Sequence, residues 1–336
     1  MTKQWTPEKA NDWYASIDPI RGCNYLPRSA VNSTEMWQAE SFDPDTIAEE
    51  LAWAAAAGIN GVRVFHQFLV WQSDPNGLKS RIDQFLDIAA REGIKAMFIL
   101  FDDCAFAGKE PYLGKQDDPV PNTHNSGWTP SPGLKRVADR SVWPELREYV
   151  VDMVGNFADD ERVQIWDLYN EPGNSELGET SLPLVEAAFA WAREAGAQQP
   201  LTTSIFRGHE GYAMEQRILE LSDVTSFHHY GDTGVDAVIQ RCQAYGRPVI
   251  CTEWLRRVVG QTVQLILPIF ARERIGWYNW GLVAGRTQTY LDWRRELNTP
   301  ENTLWQHDLF HADSKPYDEA EIELIRSFAF EDQADE

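Results

Sequence analysis

The feature that most restricts the fold of this chain is a regular alternation of short apolar runs with longer amphipathic segments. Eight apolar runs are predicted strands, at residues 20–25, 61–65, 95–101, 163–169, 201–205, 224–228, 248–252 and 276–280. The predicted helices between and after them are residues 45–57, 78–91, 143–157, 182–195, 212–221, 235–245, 262–272 and 318–328. Strands that alternate with helices form a parallel sheet that the helices cover.

Eight such units predict a closed barrel and not an open sheet. No strand is left over, and the chain lacks the Gly-rich phosphate loop that an open doubly wound sheet would carry. The length of 336 residues suits one domain, because α/β barrels commonly reach ~250 residues or more as single units. We therefore expect an α/β protein with a single-domain (β/α)8 TIM barrel over residues 1–330 and a frayed acidic tail at residues 331–336.

Composition argues against several kinds of partner. The formal net charge of −22 disfavours a nucleic-acid surface, which needs clustered Lys and Arg. No apolar run approaches the ~18 residues of a membrane span, and residues 1–8 contain no signal-peptide core, so the chain as given is predicted to be cytoplasmic. The four cysteines show no metal-binding spacing. We expect no metal and no cofactor, and the sequence leaves the oligomeric state open.

Two glutamates stand at the ends of predicted strands. Glu171 ends the segment Trp-Asp-Leu-Tyr-Asn-Glu, and Glu253 lies in Val-Ile-Cys-Thr-Glu-Trp. Barrel enzymes carry their catalytic groups at such strand ends. Paired carboxylates there suit cleavage of a glycosidic bond, because one can protonate the leaving oxygen while the other attacks or stabilises the sugar cation. Each glutamate could instead only cap the next helix, but the occurrence of both segments together favours catalysis.

Two connections are longer than a barrel requires, at residues 102–142 after the third strand and at residues 281–317 after the eighth. Long loops at the carboxyl face of a barrel usually build the site. The candidate substrate contacts in these loops are Asp102, Trp128 and Arg286. The aromatic residues that could serve either as loop packing or as sugar platforms are Trp71, Trp128 and Trp293.

The strand-end residues, taken in order, resemble those of the retaining glycoside hydrolases of the clan that includes family 5 cellulases and mannanases and family 2 β-galactosidases. The matching residues are Arg63 at the second strand, Asn170 and Glu171 at the fourth, His228 and Tyr230 as a His-x-Tyr at the sixth, Glu253 at the seventh and Trp280 at the eighth. The resemblance covers nearly the whole barrel. It implies that Glu171 is the acid/base and Glu253 the nucleophile of a retaining β-glycosidase.

The chain also departs from the family 5 pattern. Family 5 enzymes often place a His near the end of the third strand, where this chain has Asp-Asp at residues 102–103, and Trp-Leu-Arg at residues 254–256 follows the nucleophile in place of an aromatic residue and Gly. The order Arg-Val-Phe-His at residues 63–66 is similar to family 2, which adds His66 to the candidate site. The resemblance therefore specifies the clan, and neither the family within it nor the substrate.

The two carboxyl groups are expected to have different pKa values. Arg63 and the Tyr230 hydroxyl should lower the pKa of Glu253, which must be ionised to attack. The negative charge nearby should raise the pKa of Glu171, which must hold a proton near neutral pH. A retaining mechanism also predicts that the two carboxyl groups lie ~5–5.5 Å apart.

The remaining residues have functional and structural interpretations. Asn170 would bind the 2-hydroxyl of the sugar, and Trp280 would stack on the ring or belong to the core. Arg63 could be an ordinary interior ion-pair partner. His228 and His229 could bind a metal, although no nearby Asp or Glu spacing supports such a site.

The sequence thus favours a glycoside hydrolase that acts on a β-linked oligo- or polysaccharide. A transglycosylase would use the same residues and differ only in whether water or a sugar hydroxyl resolves the intermediate. A non-catalytic carbohydrate-binding barrel is the third possibility, and the presence of both glutamates argues against it.

Overall fold

A ring of parallel strands surrounded by helices forms the protein. The computed structural model describes residues 2–207 and 212–331, and over these residues there are nine strands and twelve α-helices. The strands are β1 (Arg21–Asn24), β2 (Gly61–Phe65), β3 (Lys95–Asp102), β4 (Val163–Asn170), β5 (Leu201–Thr202), β6 (Ser204–Ile205), β7 (Thr225–His228), β8 (Val249–Glu253) and β9 (Gly276–Asn279). The helices are α1 (Pro7–Ala15), α2 (Ser33–Trp37), α3 (Pro44–Ala56), α4 (Phe68–Ser73), α5 (Pro75–Arg91), α6 (Leu134–Ala138), α7 (Trp143–Asn156), α8 (Leu182–Ala195), α9 (Ala213–Leu221), α10 (Val235–Gln243), α11 (Val263–Arg272) and α12 (Glu319–Ser327).

The strands form one sheet in the order β5-β4-β3-β2-β1-β9-β8-β7-β6. All pairs between neighbouring strands in this order are parallel. The two ends of the sheet, β5 and β6, are halves of one predicted strand that is interrupted at Thr203. The chain therefore closes the ring within residues 201–205, and the nine strands occupy eight strand positions. This arrangement confirms the predicted (β/α)8 TIM barrel.

Most predicted boundaries agree with the structure to within two residues. The helix predicted at residues 78–91 begins earlier, at Pro75, because the Asp74 side chain accepts a hydrogen bond from the Gly77 amide and caps the first turn. Four helices lie in segments that were not assigned a structure: α1, α2, α4 and α6. Part of the predicted acidic tail, residues 332–336, lies outside the described residues.

The interior of the barrel is apolar near the amino ends of the strands. Its buried members are Ile20, Met97, Ile165, Val224, Ile250 and Tyr278. Helix α1 covers this end, since Trp13 and Tyr14 pack against the same cluster. The larger hydrophobic core lies between the sheet and the surrounding helices. With the amino end filled by apolar side chains, the polar residues of the strands gather at the carboxyl end.

Three long loops leave that carboxyl end, and we name them by the strand they follow: the β1 loop (residues 25–43), the β3 loop (residues 103–142) and the β9 loop (residues 280–318). The β3 and β9 loops correspond to the two long connections in the sequence. Among the described residues, no helix is both long and apolar enough to cross a membrane.

Candidate active site

A cavity of about 630 Å³ opens at the carboxyl ends of the strands. The predicted site residues that line it are Trp128, Asn170, Glu171, His228, Tyr230, Glu253 and Trp280. Two further predicted residues, Arg63 and Asp102, are buried beneath the cavity and hydrogen-bond to residues in its wall. The barrel thus brings together side chains from strands that are far apart in the sequence.

Arg63, on β2, is fully buried and connects four strands. Its Nη1 donates to Asn24 Oδ1 and to Glu253 Oε1, both at 2.7 Å. Its Nε and Nη2 donate to Asp167 Oδ2 at 3.0 and 2.7 Å, and Nη2 also donates to Asn170 Oδ1 at 2.6 Å. A buried guanidinium needs such partners to offset the loss of hydration. Arg63 is therefore both an interior ion-pair partner and a direct neighbour of the predicted nucleophile.

Glu253 ends β8 with both carboxylate oxygens occupied. Arg63 donates to Oε1, and the Tyr230 hydroxyl donates to Oε2 at 2.9 Å. His228 Nδ1 lies 3.4 Å from Oε2. Burial raises the pKa of Glu253 above its usual value; His228 and Arg63 act in the opposite direction, and the charge of Glu171 adds to the rise. The direction is opposite to the sequence-based expectation, because the pKa increase caused by burial exceeds the lowering by Arg63 and His228.

Glu171 follows β4 and is held by three donors. His228 Nδ1 lies 2.8 Å from Oε1, Asn174 Nδ2 donates to Oε2 at 2.6 Å, and the Cys104 thiol donates to Oε2 at 3.2 Å. Burial acts to raise the pKa of Glu171, but these contacts, with His228 the largest among them, lower it below its usual value. The sequence analysis expects a raised pKa for Glu171, so the lowered pKa is opposite to that expectation. The reason is that the sequence does not reveal which carboxylate His228 contacts.

Asp102, expected to contact substrate, instead supports the wall of the cavity. Its Oδ1 accepts from Asn170 Nδ2 and from the Cys104 amide, both at 2.9 Å, and its Oδ2 accepts from Trp128 Nε1 at 2.7 Å. Burial raises the pKa of Asp102 to about 7. The amide of Asn170 is fixed on both sides, with its oxygen on Arg63 and its nitrogen on Asp102.

Aromatic side chains form much of the cavity wall. Trp280 is partly exposed and lies edge-on to Trp128, with ring centroids 6.0 Å apart. Trp293 is 42% exposed, lies edge-on to Tyr230 at 5.2 Å, and carries the Arg256 guanidinium 3.9 Å from its ring centroid. These positions suit the binding of apolar sugar faces. The remaining predicted platform, Trp71, packs in the core.

Besides Arg63 and Asp102, two further predicted site residues lie outside the cavity wall. His66 is buried against the ring of Phe98, with centroids 4.4 Å apart, and burial lowers its pKa to about 3. Arg286 lies in the β9 loop, with Nε 3.4 Å from Glu35 and Nη1 3.3 Å from Asp118. The expected substrate contacts of these two residues are not supported, because His66 points into the core and Arg286 joins the loops to one another.

The sequence analysis missed several residues that organise the site. Asp167 could have been found, because an acidic residue inside an otherwise apolar strand needs a cation and Arg63 is the charged residue in β2. Asn24, Cys104 and Asn174 carry no such signal, since each is a small polar residue at a strand end or in a loop. Their contacts become visible only when the strands are brought together.

A metal ion could be held by part of this site. One ligand atom from each of Glu171, His228 and Glu253 lies within 4.8 Å of the other two. In the present arrangement these groups bind one another, since His228 Nδ1 contacts Glu171 and Tyr230 donates to Glu253. The expected absence of a metal remains a prediction.

The barrel fold that surrounds these residues also occurs in solved structures of glycoside hydrolases. Solved structures of family 5 mannanases and mannosidases superpose on nearly the whole chain. The resemblance to family 5 inferred from the strand-end residues is thus confirmed as a likeness of fold. Neither a protein-family model nor a curated protein sequence matches the chain.

Three of these solved structures illustrate the likeness. The endo-β-1,4-mannanase from Thermotoga petrophila is 14% identical, with a TM-score of 0.60 over 93% of this chain and 76% of its own. GH5_18 from Streptomyces cattleya, in complex with GlcNAc, is 16% identical, with a TM-score of 0.60 over 93% and 80%. Exo-β-1,4-mannosidase Op5Man5 from Opitutaceae bacterium strain TAV5 is 16% identical, with a TM-score of 0.64 over 93% and 59%.

Proposed function

We propose that the protein is a retaining glycoside hydrolase that cleaves β-glycosidic bonds of an oligo- or polysaccharide, with Glu171 as acid/base and Glu253 as nucleophile. The observation that carries this proposal is the spacing of the two carboxylates, since one oxygen of each lies within 4.8 Å of the other. Retaining enzymes place these groups ~5–5.5 Å apart, whereas inverting enzymes leave ~6.5–9.5 Å for a water molecule. An oxygen pair this close is nearer to the spacing of retaining enzymes than to that of inverting enzymes, and it supports the retaining assignment.

In the first step of the proposed reaction, Glu253 attacks the anomeric carbon and forms an ester with the sugar. The bond between that carbon and the leaving oxygen breaks, and its electron pair goes to the oxygen, which Glu171 protonates. In the second step Glu171 takes a proton from water, the water attacks the same carbon, and the carboxylate of Glu253 leaves. Two inversions at one carbon give retention of configuration.

The contacts of Glu253 suit a nucleophile. Arg63 and Tyr230 each hold one oxygen, so that the carboxylate is oriented before the sugar arrives. When the ester forms, Glu253 loses its negative charge, and Asp167 continues to neutralise Arg63. The buried cation is therefore compensated in both states of the cycle.

The contacts of Glu171 in the free protein lower its pKa and hold its carboxylate in place. To act as an acid it must therefore take up a proton in the complex with substrate. Asn170, fixed between Arg63 and Asp102, faces the same cavity. We assign its amide to the 2-hydroxyl of the sugar, where hydrogen bonding strengthens in the transition state.

Removal of each glutamate in turn tests the two roles. Glu253→Ala should abolish the first step for every leaving group, because no ester can form. Glu171→Ala should still react with aryl glycosides that have good leaving groups, since these need little protonation, and the intermediate should accumulate. Azide needs no general base, so it should accelerate turnover of Glu171→Ala and give a glycosyl azide of retained configuration. Product configuration is measured by NMR.

The second variant and a control complete the test. With Glu253→Ala, any azide product should be inverted, because the anion occupies the space that the carboxylate vacated. Glu194→Ala changes an exposed carboxylate on α8 and should behave as the unaltered protein. Opposite stereochemistry in the two variants would mean that the roles are exchanged. Substantial activity in both, without any response to azide, would contradict the glycosidase proposal.

A further inference from the structure

We propose that the protein acts as an exo-glycosidase that removes single sugar residues from the non-reducing end of its substrate. This inference rests on the proposed function of Glu171 and Glu253. It depends on a second observation, which is that three loops close one side of the cavity.

The roles of the two glutamates define which side of the cavity each part of the substrate occupies. Glu171 must lie beside the leaving oxygen, and Glu253 lies beneath the sugar that it attacks. The strands between Glu171 on β4 and Glu253 on β8 divide into two arcs: β3, β2, β1 and β9 on one side, and β5, β6 and β7 on the other. Trp280, the proposed platform for the attacked sugar, follows β9, which places that sugar and anything attached to its non-reducing end on the first arc.

The β3 and β9 loops are joined across this first arc. The backbone amide of Asn125 donates to Thr287 O at 2.7 Å, and His124 Nδ1 contacts Leu291 O at 2.9 Å. Asn125 and His124 are buried and both line the cavity. The two loops therefore form one continuous wall.

The β1 loop is attached to the same wall. Asn32 is buried and donates from Nδ2 to Gly127 O in the β3 loop at 2.9 Å. Arg286 of the β9 loop lies between Glu35 of the β1 loop and Asp118 of the β3 loop, within 3.4 Å of each. Arg286, expected from the sequence to contact substrate, thus connects all three loops.

The space behind the wall is filled by aromatic side chains. Trp128 is 3% exposed and packs edge-on against Phe65, with ring centroids 4.7 Å apart. The cavity that remains among Phe65, Trp128, Trp280 and Leu26 measures about 20 Å³. Such a volume holds about one water molecule. It cannot hold a second sugar ring beyond the one that Glu253 attacks.

The opposite arc contributes residues that are partly exposed to solvent. Phe206, His229 and Gly231 lie in the cavity wall on this side. A leaving group next to Glu171 therefore lies beside these partly exposed residues, whereas the attacked sugar sits against the closed wall. A pocket of this shape admits the terminal residue of a chain and excludes an internal one.

Blocked substrates test the proposal directly. Aryl β-glycosides of gluco- and manno-configured disaccharides and trisaccharides should be compared with the same compounds carrying a cyclic ketal across the terminal 4- and 6-hydroxyls. The blocked compounds should be cleaved roughly 100-fold or more slowly, because the ketal clashes with the closed wall. The unblocked compounds should release a monosaccharide first, as seen by chromatography of early products.

The outcomes separate this inference from the proposed function. Equal rates on blocked and unblocked substrates, or release of the intact disaccharide from an aryl trisaccharide, would overturn exo action and leave a glycosidase. Absence of turnover on every compound, together with unaltered folding, would overturn the proposed function and the inference with it.

Two variants of the wall give an independent measurement. Trp128→Ala enlarges the small cavity, and Arg286→Gln releases the ties between the loops; each should lower the ratio of unblocked to blocked rates several-fold. Arg272→Gln, which changes an exposed ion pair with Asp236 on the outside of the barrel, should leave the ratio unchanged. If neither wall variant changes the ratio while both remain folded, the loops do not determine the mode of cleavage and the proposal fails.

Discussion

Arg63 carries a positive charge that two buried carboxylates, Asp167 and Glu253, share. One of them is a structural partner and the other is the proposed nucleophile. The guanidinium suits this task because it is planar and offers several donors in a fixed arrangement. A single point charge at the same place could not satisfy both carboxylates and the amide of Asn170.

Replacement of Arg63 by Lys should therefore move the pH profile. The ammonium group cannot keep all of the contacts to Asp167, Asn170 and Glu253, so the pKa of Glu253 should rise further. Glu253 must be ionised to attack, and the acidic limb of kcat/KM should move upwards by about one pH unit. We expect kcat/KM at its optimum to fall by roughly 100-fold or more. Both quantities come from initial rates across the pH range.

A control variant distinguishes this effect from general destabilisation. Arg257 is buried and paired with Glu321 away from the cavity. Arg257→Lys should lower the free energy of unfolding and leave the acidic limb in place. An unchanged acidic limb in Arg63→Lys, with a normal rate, would show that Arg63 is only a structural ion-pair partner.

The residue that follows β4, the proposed acid/base Glu171, has an unusual backbone conformation. Glu171 has a φ of 43°, in the left-handed region, which costs a residue with a side chain ~1–2 kcal/mol. The turn carries Glu171 out of the strand and places its carboxylate within reach of His228 and Asn174. The position of the proposed acid/base is thus obtained at the expense of stability.

Two substitutions at Glu171 should reveal this strain. Glu171→Ala and Glu171→Gly both remove the carboxylate, but only Gly adopts a positive φ without a steric penalty. We expect Glu171→Gly to be more stable than Glu171→Ala by roughly 0.5–1 kcal/mol, after the greater flexibility of Gly in the unfolded chain is subtracted. Denaturant unfolding measures the difference. A Gly variant that is equally stable or less stable would show that the turn is not strained.

The barrel elements could be predicted because each strand and helix carries its own periodic pattern. The split of one predicted strand at Thr203 could not, since it depends on which neighbours pair with β5 and β6. The start of helix α1 carries a recognisable sequence signal, Thr6 followed by Pro7, and the Thr6 side chain accepts a hydrogen bond from the Lys9 amide.

The site residues at strand ends could be predicted from the sequence. The positions of side chains in the loops could not. Glu171 and Glu253 meet because parallel strands bring their carboxyl ends to one face. Arg286 lies in a loop whose path the sequence does not specify, and it binds other loops instead of lining the cavity. His66 directly follows β2, and its ring packs on Phe98, so that it enters the core.

The whole molecule carries an excess of negative charge and several buried acids. Burial raises the pKa of several described carboxyl groups, among them Glu50 to about 7, Asp102 to about 7, Asp103 to about 6 and Asp308 to about 7. In the unfolded chain such groups titrate near pH ~4. Between the pKa values of the unfolded and folded states, the folded protein binds more protons than the unfolded chain. The free energy of unfolding therefore falls as pH rises from ~4 to ~7. Repulsion from the net charge of −22 acts in the same direction.

We therefore expect the melting temperature to be highest near pH ~5 and to be lower by roughly 5 °C or more at pH ~8. Calorimetry at constant ionic strength measures this difference. Added salt should reverse the part of this decrease in melting temperature that comes from net charge, because salt screens surface repulsion. The part of the decrease that comes from the buried groups should remain. Asp308→Asn removes one buried titrating group and should flatten the dependence. A melting temperature that is constant or rises from pH ~5 to ~8 would contradict the expectation.

The convergence of side chains on Arg63 has a consequence for how the protein acquires activity. Its partners are distant along the chain, with Asp167 104 residues away and Glu253 190 residues away. Bringing such distant segments together costs loop-closure entropy before any of the contacts can form. No single stretch of the chain contains a working half of the site. If the protein is the proposed glycoside hydrolase, a newly synthesised or partly unfolded chain has no hydrolytic activity, and catalysis begins only when the ring of strands has closed.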